Sequence, residues 1–146
     1  MIPVVVAHAV STLFMVGMIW TIQVVHYPLF AEVGADRFPA YEAAHSARIT
    51  WLIVLPWAVQ GLTMLALLLS SPTGVPRTLV WVAAVLAAVP VLVTIASSVP
   101  AHSVLTNGFD AAAHARLVGT NWLRTAAWTL HGAVATAMLV LALRPR

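Results

Sequence analysis

The sequence predicts an all-α integral membrane protein: a four-helix bundle with two long, partly helical connections gathered on one membrane face. Three observations lead there. Of 146 residues, 62% are hydrophobic and only 8% charged, against about a quarter charged in soluble domains, and the mean hydropathy is +0.97. Four apolar runs, Ile2 to Val25, Ile49 to Leu69, Leu79 to Ser97 and Leu123 to Leu143, each approach the roughly 20 residues that cross a bilayer core. Ser70 to Thr78, reading SSPTGVPRT, gathers Pro72, Gly74 and Pro76 into a short turn that makes the second and third spans antiparallel neighbours. The length suits a single four-span domain over residues 1–146.

Taken in order, the first run has no basic segment before it and no small-residue cleavage site after it, so it reads as a permanent span rather than a secretion signal. Pro56 and Pro90 lie inside the second and third spans, where neighbouring helices can re-satisfy freed carbonyls. The remaining connections, His26 to Arg48 and Ser98 to Trp122, are each roughly two dozen residues long and read as partly helical, the places where local function concentrates. Orientation rests on arginines near span ends: Arg77, Arg144 and Arg146 on the short-turn side oppose Arg37, Arg48, Arg116 and Arg124 on the other. Treating Arg48, Arg116 and Arg124 as internal partners places the termini on the cytoplasmic side.

The pI of about 10.7 records scarce charge, not a basic surface. Seven Arg and no Lys are scattered against Glu32, Asp36, Glu42 and Asp110, without the basic stripe of a nucleic-acid binder. The absence of cysteine excludes disulfides and thiolate metal sites, so any metal would be held by nitrogen and oxygen.

The two long connections resemble each other. HYPL at His26 to Leu29 matches HSVL at His102 to Leu105, and AAHSARITW at Ala43 to Trp51 resembles AAHARLVGTNW at Ala112 to Trp122, with Phe38 and Phe109 ahead of them. A parallel repeat of this kind relates the halves by an axis along the membrane normal and brings His26, His45, His102 and His114 together at one face. Glu42 and Asp110 sit three and four residues before His45 and His114, spacings that make side chains neighbours on a helix. Four imidazoles and two carboxylates suit a transition metal; they serve equally as a hydrogen-bonded polar network without one.

His8 and His131 are single histidines inside spans, expected as satisfied core residues or as axial ligands of a b-type haem. Asn121, Arg124, Thr125 and Trp128 share one stripe of the fourth span. There Asn121 and Arg124 would position an anionic or quinoid oxygen, with a snorkelling arginine as the alternative. Arg48 opens the second span with the same ambiguity. Gln23 and Gln60 fit interhelical hydrogen bonding, and the six tryptophans, most of them near span ends, fit interfacial belts.

The segments QVVHYPLF (Gln23 to Phe30), FPAYEAAHSARI (Phe38 to Ile49) and PAHSVLTNGFDAAAHARLVGTNWLRTAAW (Pro100 to Trp128) resemble an uncharacterised family of small four-span bacterial membrane proteins. The Asn121-x-x-Arg124 turn into the last span is distantly similar to that of anthrone-oxygenase-like membrane proteins. That similarity implies oxidation of an aromatic or quinone-like apolar substrate reached from the membrane. The expected functions are therefore a metal- or haem-dependent oxidoreductase or a noncatalytic membrane subunit or lipid-binding scaffold, with the lipid bilayer, an apolar small molecule, and a homo-oligomer or larger membrane complex as partners.

Overall fold

The structure, a computed structural model, describes residues 1–145; Arg146, counted above for orientation, lies outside the described residues. All of its regular structure is helical: α1 (Ile2–Thr21) with a π-helical turn (Ile22–His26) and a 3-10 turn (Pro28–Glu32), α2 (Phe38–Leu69), α3 (Arg77–Val93) with a second π-helical turn (Thr94–Ser98), α4 (Val99–Leu105) and α5 (Ala111–Leu143). Four continuous rods result, of 31, 32, 29 and 33 residues, each apolar enough to cross a membrane.

The two long connections are almost entirely helix, leaving only short turns at 33–37 and 106–110. At 1.5 Å per residue α2 is about 48 Å long, so it outreaches a hydrocarbon core of about 30 Å. The excess lies at the end opposite the Pro-Gly turn. Counted from Leu69, Arg48 stands about 32 Å and His45 about 36 Å along α2, which is headgroup depth. His131, counted from Leu143, stands about 18 Å along α5, near the bilayer midplane.

Both π-helical turns have a visible cause. Pro28 and Pro100 follow them at the same interval, and a proline cannot donate to the carbonyl four residues earlier. The backbone re-bonds one residue further on, as in Tyr27 N–H to Ile22 O at 2.9 Å. The carbonyl that Pro100 leaves free, on Ala96, accepts from Arg116 Nη2 at 3.2 Å. The halves therefore repeat in fold with Pro28 equivalent to Pro100, one helical turn away from the HYPL and HSVL match. In that register His26 corresponds to Ser98 and His102 to Phe30, so the histidines do not form symmetry-related pairs.

α1 and α5 pack along their lengths and form the middle of the bundle, with α2 against α1 and α3 against α5. The buried stripe of α5 runs Leu117, Asn121, Arg124, Thr125, Trp128, His131, Gly132, Ala135 and Met138, a helical period throughout. Gly132 permits the close approach, because a Cβ there would lie 2.9 Å from Val16 Cγ2. Near the short turn, Val5, Met64, Leu67, Val80, Ala83 and Met138 close the bundle. Away from it α2 and α3 barely touch, so their antiparallel contact is confined to the turn end. Exposed Leu, Val and Trp side chains on both helices face outward, as a lipid-facing surface does.

Candidate functional site

Two polar clusters are buried in the bundle, separated by Met15, Ile19 and Trp128. The first is at the midplane. His8 and His131, both fully buried, meet Nε2 to Nε2 at 3.1 Å. One partner fixes every proton. The Gln60 amide nitrogen can only donate, so His131 Nδ1 accepts from it at 3.3 Å and His131 Nε2–H donates to His8 Nε2. His8 Nδ1–H then donates to Thr63 Oγ1 at 2.9 Å, whose hydroxyl donates to the Val59 carbonyl at 2.7 Å. Gln60 Nε2 also donates to Thr12 Oγ1 at 3.0 Å. All four imidazole nitrogens are satisfied with both rings neutral.

This arrangement is that of a satisfied core pair, and the two rings are not set as axial haem ligands. An iron between two imidazoles needs bonds of about 2 Å to each, hence nitrogens about 4 Å apart with a macrocycle between them. Here the rings bond directly to each other, and Trp128 stacks on His131 at 6.0 Å between ring centroids and 12° between planes. Trp128 is therefore a core residue, not an interfacial one.

The second cluster sits in the helical extensions at headgroup depth. Phe38, Glu42 and His45 recur at helical spacing on the buried face of α2 and pack over the end of α1. Glu42 is fully buried; its Oε1 accepts from His102 Nδ1 at 2.5 Å and from Ser46 Oγ at 3.1 Å. On its other side, His102 Nε2 shares a 3.1 Å hydrogen bond with the Tyr27 hydroxyl. His26 Nε2 and His45 Nδ1 share a 2.8 Å hydrogen bond, and the His45 ring stacks on His102 with centroids 5.3 Å apart. Glu42 is an electrostatic neighbour of both His26 and His45.

Three of the four expected histidines thus converge, with Glu42. His114 is adjacent but turned to the backbone, donating from Nε2 to the Tyr27 carbonyl at 2.7 Å and stacking on Phe30. Asp110 is no part of the cluster: it is exposed and caps α5, accepting from Ala113 N–H at 2.7 Å. Its negative charge belongs to the helix N-terminus. Asn121 and Arg124 are buried as the stripe required. Asn121 Nδ2 donates to Gln23 Oε1 at 2.7 Å and Arg124 Nη1 to Ser98 Oγ at 3.2 Å. Arg124 does not snorkel; it faces the interior beside Tyr27, without a carboxylate partner among the described residues. Tyr27, Ser46 and Ser98 are functional neighbours that sequence reasoning missed. Tyr27 carries a detectable signal, standing one residue past His26 and immediately before a proline.

Metal ligation finds no geometry here. Among the described residues, no group of three or more His, Asp or Glu is arranged to hold an ion. The reason lies in the rings: imidazole lone pairs point in the ring plane, His45 and His102 are stacked, both His102 nitrogens are occupied, and His26 points its Nε2 at His45. Several buried polar atoms nonetheless have no partner: Glu42 Oε2, His45 Nε2, Asn121 Oδ1, Arg124 Nε, Thr94 Oγ1 and Trp128 Nε1.

The cluster is open to the membrane on one side. A cavity of about 270 Å³ is bounded by His26, Tyr41, His45, Arg48, Ile49 and Leu52. His26, Ile49 and Leu52 also border a crevice of about 650 Å³ between α1 and α2, lined by Leu13, Phe14, Gly17 and Val25. Together they form one groove, apolar along its length and polar at its head. Comparison with family models, with curated proteins and with solved structures gave no match, so what the groove does must be read from its chemistry.

Proposed function

We propose that the protein binds a lipid-soluble substrate in the α1–α2 groove and carries out proton transfer on it at His26. The observation that carries this reading is the His26–His45 hydrogen bond at 2.8 Å at the head of a groove open to lipid. His26 is the half-buried member and borders both cavities; its Nδ1 makes no hydrogen bond among the described residues, while its Nε2 is tied to His45. A proton taken from substrate at His26 Nδ1 lets the Nε2 proton pass to His45 Nδ1, so the added charge is shared by two rings. Positioned histidines are the side chains most often used to take and hand on a proton. Ser46 and His102 fix the Glu42 carboxyl, and Tyr27 fixes His102.

The test is solvent isotope exchange. Protein in nanodiscs is incubated in D₂O with a lipid extract and with synthetic quinones, and mass spectrometry follows label or chemical change. Wild type should place deuterium in, or convert, a lipid-soluble species, and His26→Gln should not. If no species changes above the His26→Gln background, the proton-transfer reading fails and a noncatalytic membrane subunit or lipid-binding scaffold takes its place. The metal-dependent oxidoreductase reading, acting on an apolar or quinone-like substrate, requires His45 and His102 to unstack; stoichiometric metal in the purified protein, lost in His45→Ala, would establish it instead.

A further inference from the structure

We infer that the occupant of the α1–α2 groove is a single-chain amphiphile with a carboxylate head, a long-chain fatty acid or a close analogue. The inference rests on the reading above and names the head and tail by which the occupant of the same site is held; the reacting C–H or O–H belongs to such an amphiphile's further functional group.

The charge at the groove's head sets the headgroup. Arg48 borders the smaller cavity, is exposed, and makes no ion pair or hydrogen bond among the described residues. It stands one turn beyond His45 on the same face of α2. A guanidinium offers a planar fork that matches a carboxylate with two parallel bonds. The other groups at the head are imidazoles and the Tyr41 ring, which add no fixed positive charge. One cation calls for one negative charge, whereas a phosphate monoester carries nearly two. His45 Nε2, buried and unpartnered, is an additional polar atom behind this head.

The groove's shape sets the tail. From Leu13 to His26 along α1 is about 20 Å at helical rise, about two-thirds of a hydrocarbon core, with apolar lining below His26. That length holds one extended chain reaching down from headgroup depth. At about 650 Å³ and 270 Å³, the two parts fall within the usual range of small-molecule sites. Gly17 borders the groove, and nothing lies within 4 Å of where its Cβ would be, so a larger residue there would project into free space along the chain's path.

The test uses palmitate, hexadecanol and hexadecyl phosphate, each with a mid-chain diazirine, photo-crosslinked at alkaline pH to the full chain in phosphatidylcholine nanodiscs. Palmitate should label α1 and α2 within the groove and be displaced by unlabelled palmitate. Arg48→Gln should weaken this about tenfold, the loss of one charge-assisted contact, while Arg48→Lys should retain most of it. Leu13→Trp, which narrows the lower groove, should block palmitate without altering the headgroup residues. Equal labelling by hexadecanol, or no effect of Arg48→Gln, would overturn the carboxylate assignment; tighter binding of hexadecyl phosphate would overturn the single charge; label spread over all four helices would overturn the groove itself. His26→Gln separates the two proposals: it should still bind palmitate, here a binding probe only because it has no C–H acidic enough for an imidazole, while losing exchange on the lipid-soluble species that wild type labels. Exchange on other lipids without palmitate binding defeats only the carboxylate head and single chain, whereas palmitate binding with no lipid-soluble species exchanged or converted by wild type defeats the proton transfer.

Discussion

Replacing His8 and His131 singly and together by leucine tests the midplane chain quantitatively. His131→Leu removes the donor to His8 Nε2 and the acceptor of one Gln60 N–H, stranding two polar groups. His8→Leu strands one, His131 Nε2–H, because the Thr63 hydroxyl keeps the Val59 carbonyl. The double variant strands only the Gln60 N–H, since the other amide contact, to Thr12, survives. Three stranded groups in the two single variants become one in the double, so the double should be more stable than additivity allows by the worth of two. Interhelical hydrogen bonds in membranes are worth about 0.6 kcal/mol on average and about 1.7 at most. The expected coupling is therefore about 1–3 kcal/mol. Equilibrium unfolding in mixed micelles against rising denaturing detergent, followed by circular dichroism, measures it. Additivity within about 0.5 kcal/mol would refute the directed chain, as would a visible haem absorption band lost in each single variant.

Asp110→Ala should destabilise the protein by about 1 kcal/mol, the usual worth of an N-cap, and leave isotope exchange intact; loss of exchange at unchanged stability would return Asp110 to the site. Glu42→Ala should cost about 2–4 kcal/mol by leaving His102 and Ser46 without their buried acceptor, with Glu42→Gln retaining part of it, both read by the same unfolding assay. Gly132→Ala should cost about 1–3 kcal/mol through overpacking, because its Cβ would fall 2.9 Å from Val16 Cγ2. Combining it with Val16→Ala should recover most of that loss; if it does not, the α1–α5 contact is not what limits this position.

The four spans were legible because apolar runs need no tertiary information, but their true lengths were not. Hydropathy ends the second span at Ile49, where Arg48 and His45 begin. The helix continues to Phe38 because Phe38, Glu42 and His45 form a buried stripe, a periodicity that was present in the sequence and masked by its polar members. The meeting of His26, His45 and His102 was anticipated from HYPL and HSVL, yet for an incomplete reason. The structural register follows Pro28 and Pro100, since proline dictates where the backbone re-bonds, while histidine is free to occupy any position facing the cap. Asp110 was misassigned because an acid four residues before a histidine is equally the position of a helix cap. The stripe from Asn121 to Trp128 reads correctly as one face, but periodicity does not say whether that face meets lipid or protein, and so it leaves Arg124 undecided and lets Trp128 pass for a belt residue.

The two clusters differ in a way that assigns them different work. Burying polar groups in a bilayer is costly unless each finds a partner, and the midplane chain of Gln60, His131, His8 and Thr63 leaves no imidazole nitrogen unpaired. Such a network joins α1, α2 and α5 and gains nothing further from a ligand. The cluster at headgroup depth is different: Glu42 Oε2 and His45 Nε2 are buried without partners, as are Asn121 Oδ1 and Arg124 Nε on α5. A purely structural network at that depth would have been easier to satisfy than the one at the midplane. One of these atoms, His45 Nε2, belongs to a residue that lines the head of the groove together with His26 and Arg48. Polar capacity left open where satisfaction is easiest is what a site reserved for an exchangeable occupant requires, and it is why the acid–base chemistry is placed there and not at the more deeply buried histidine pair.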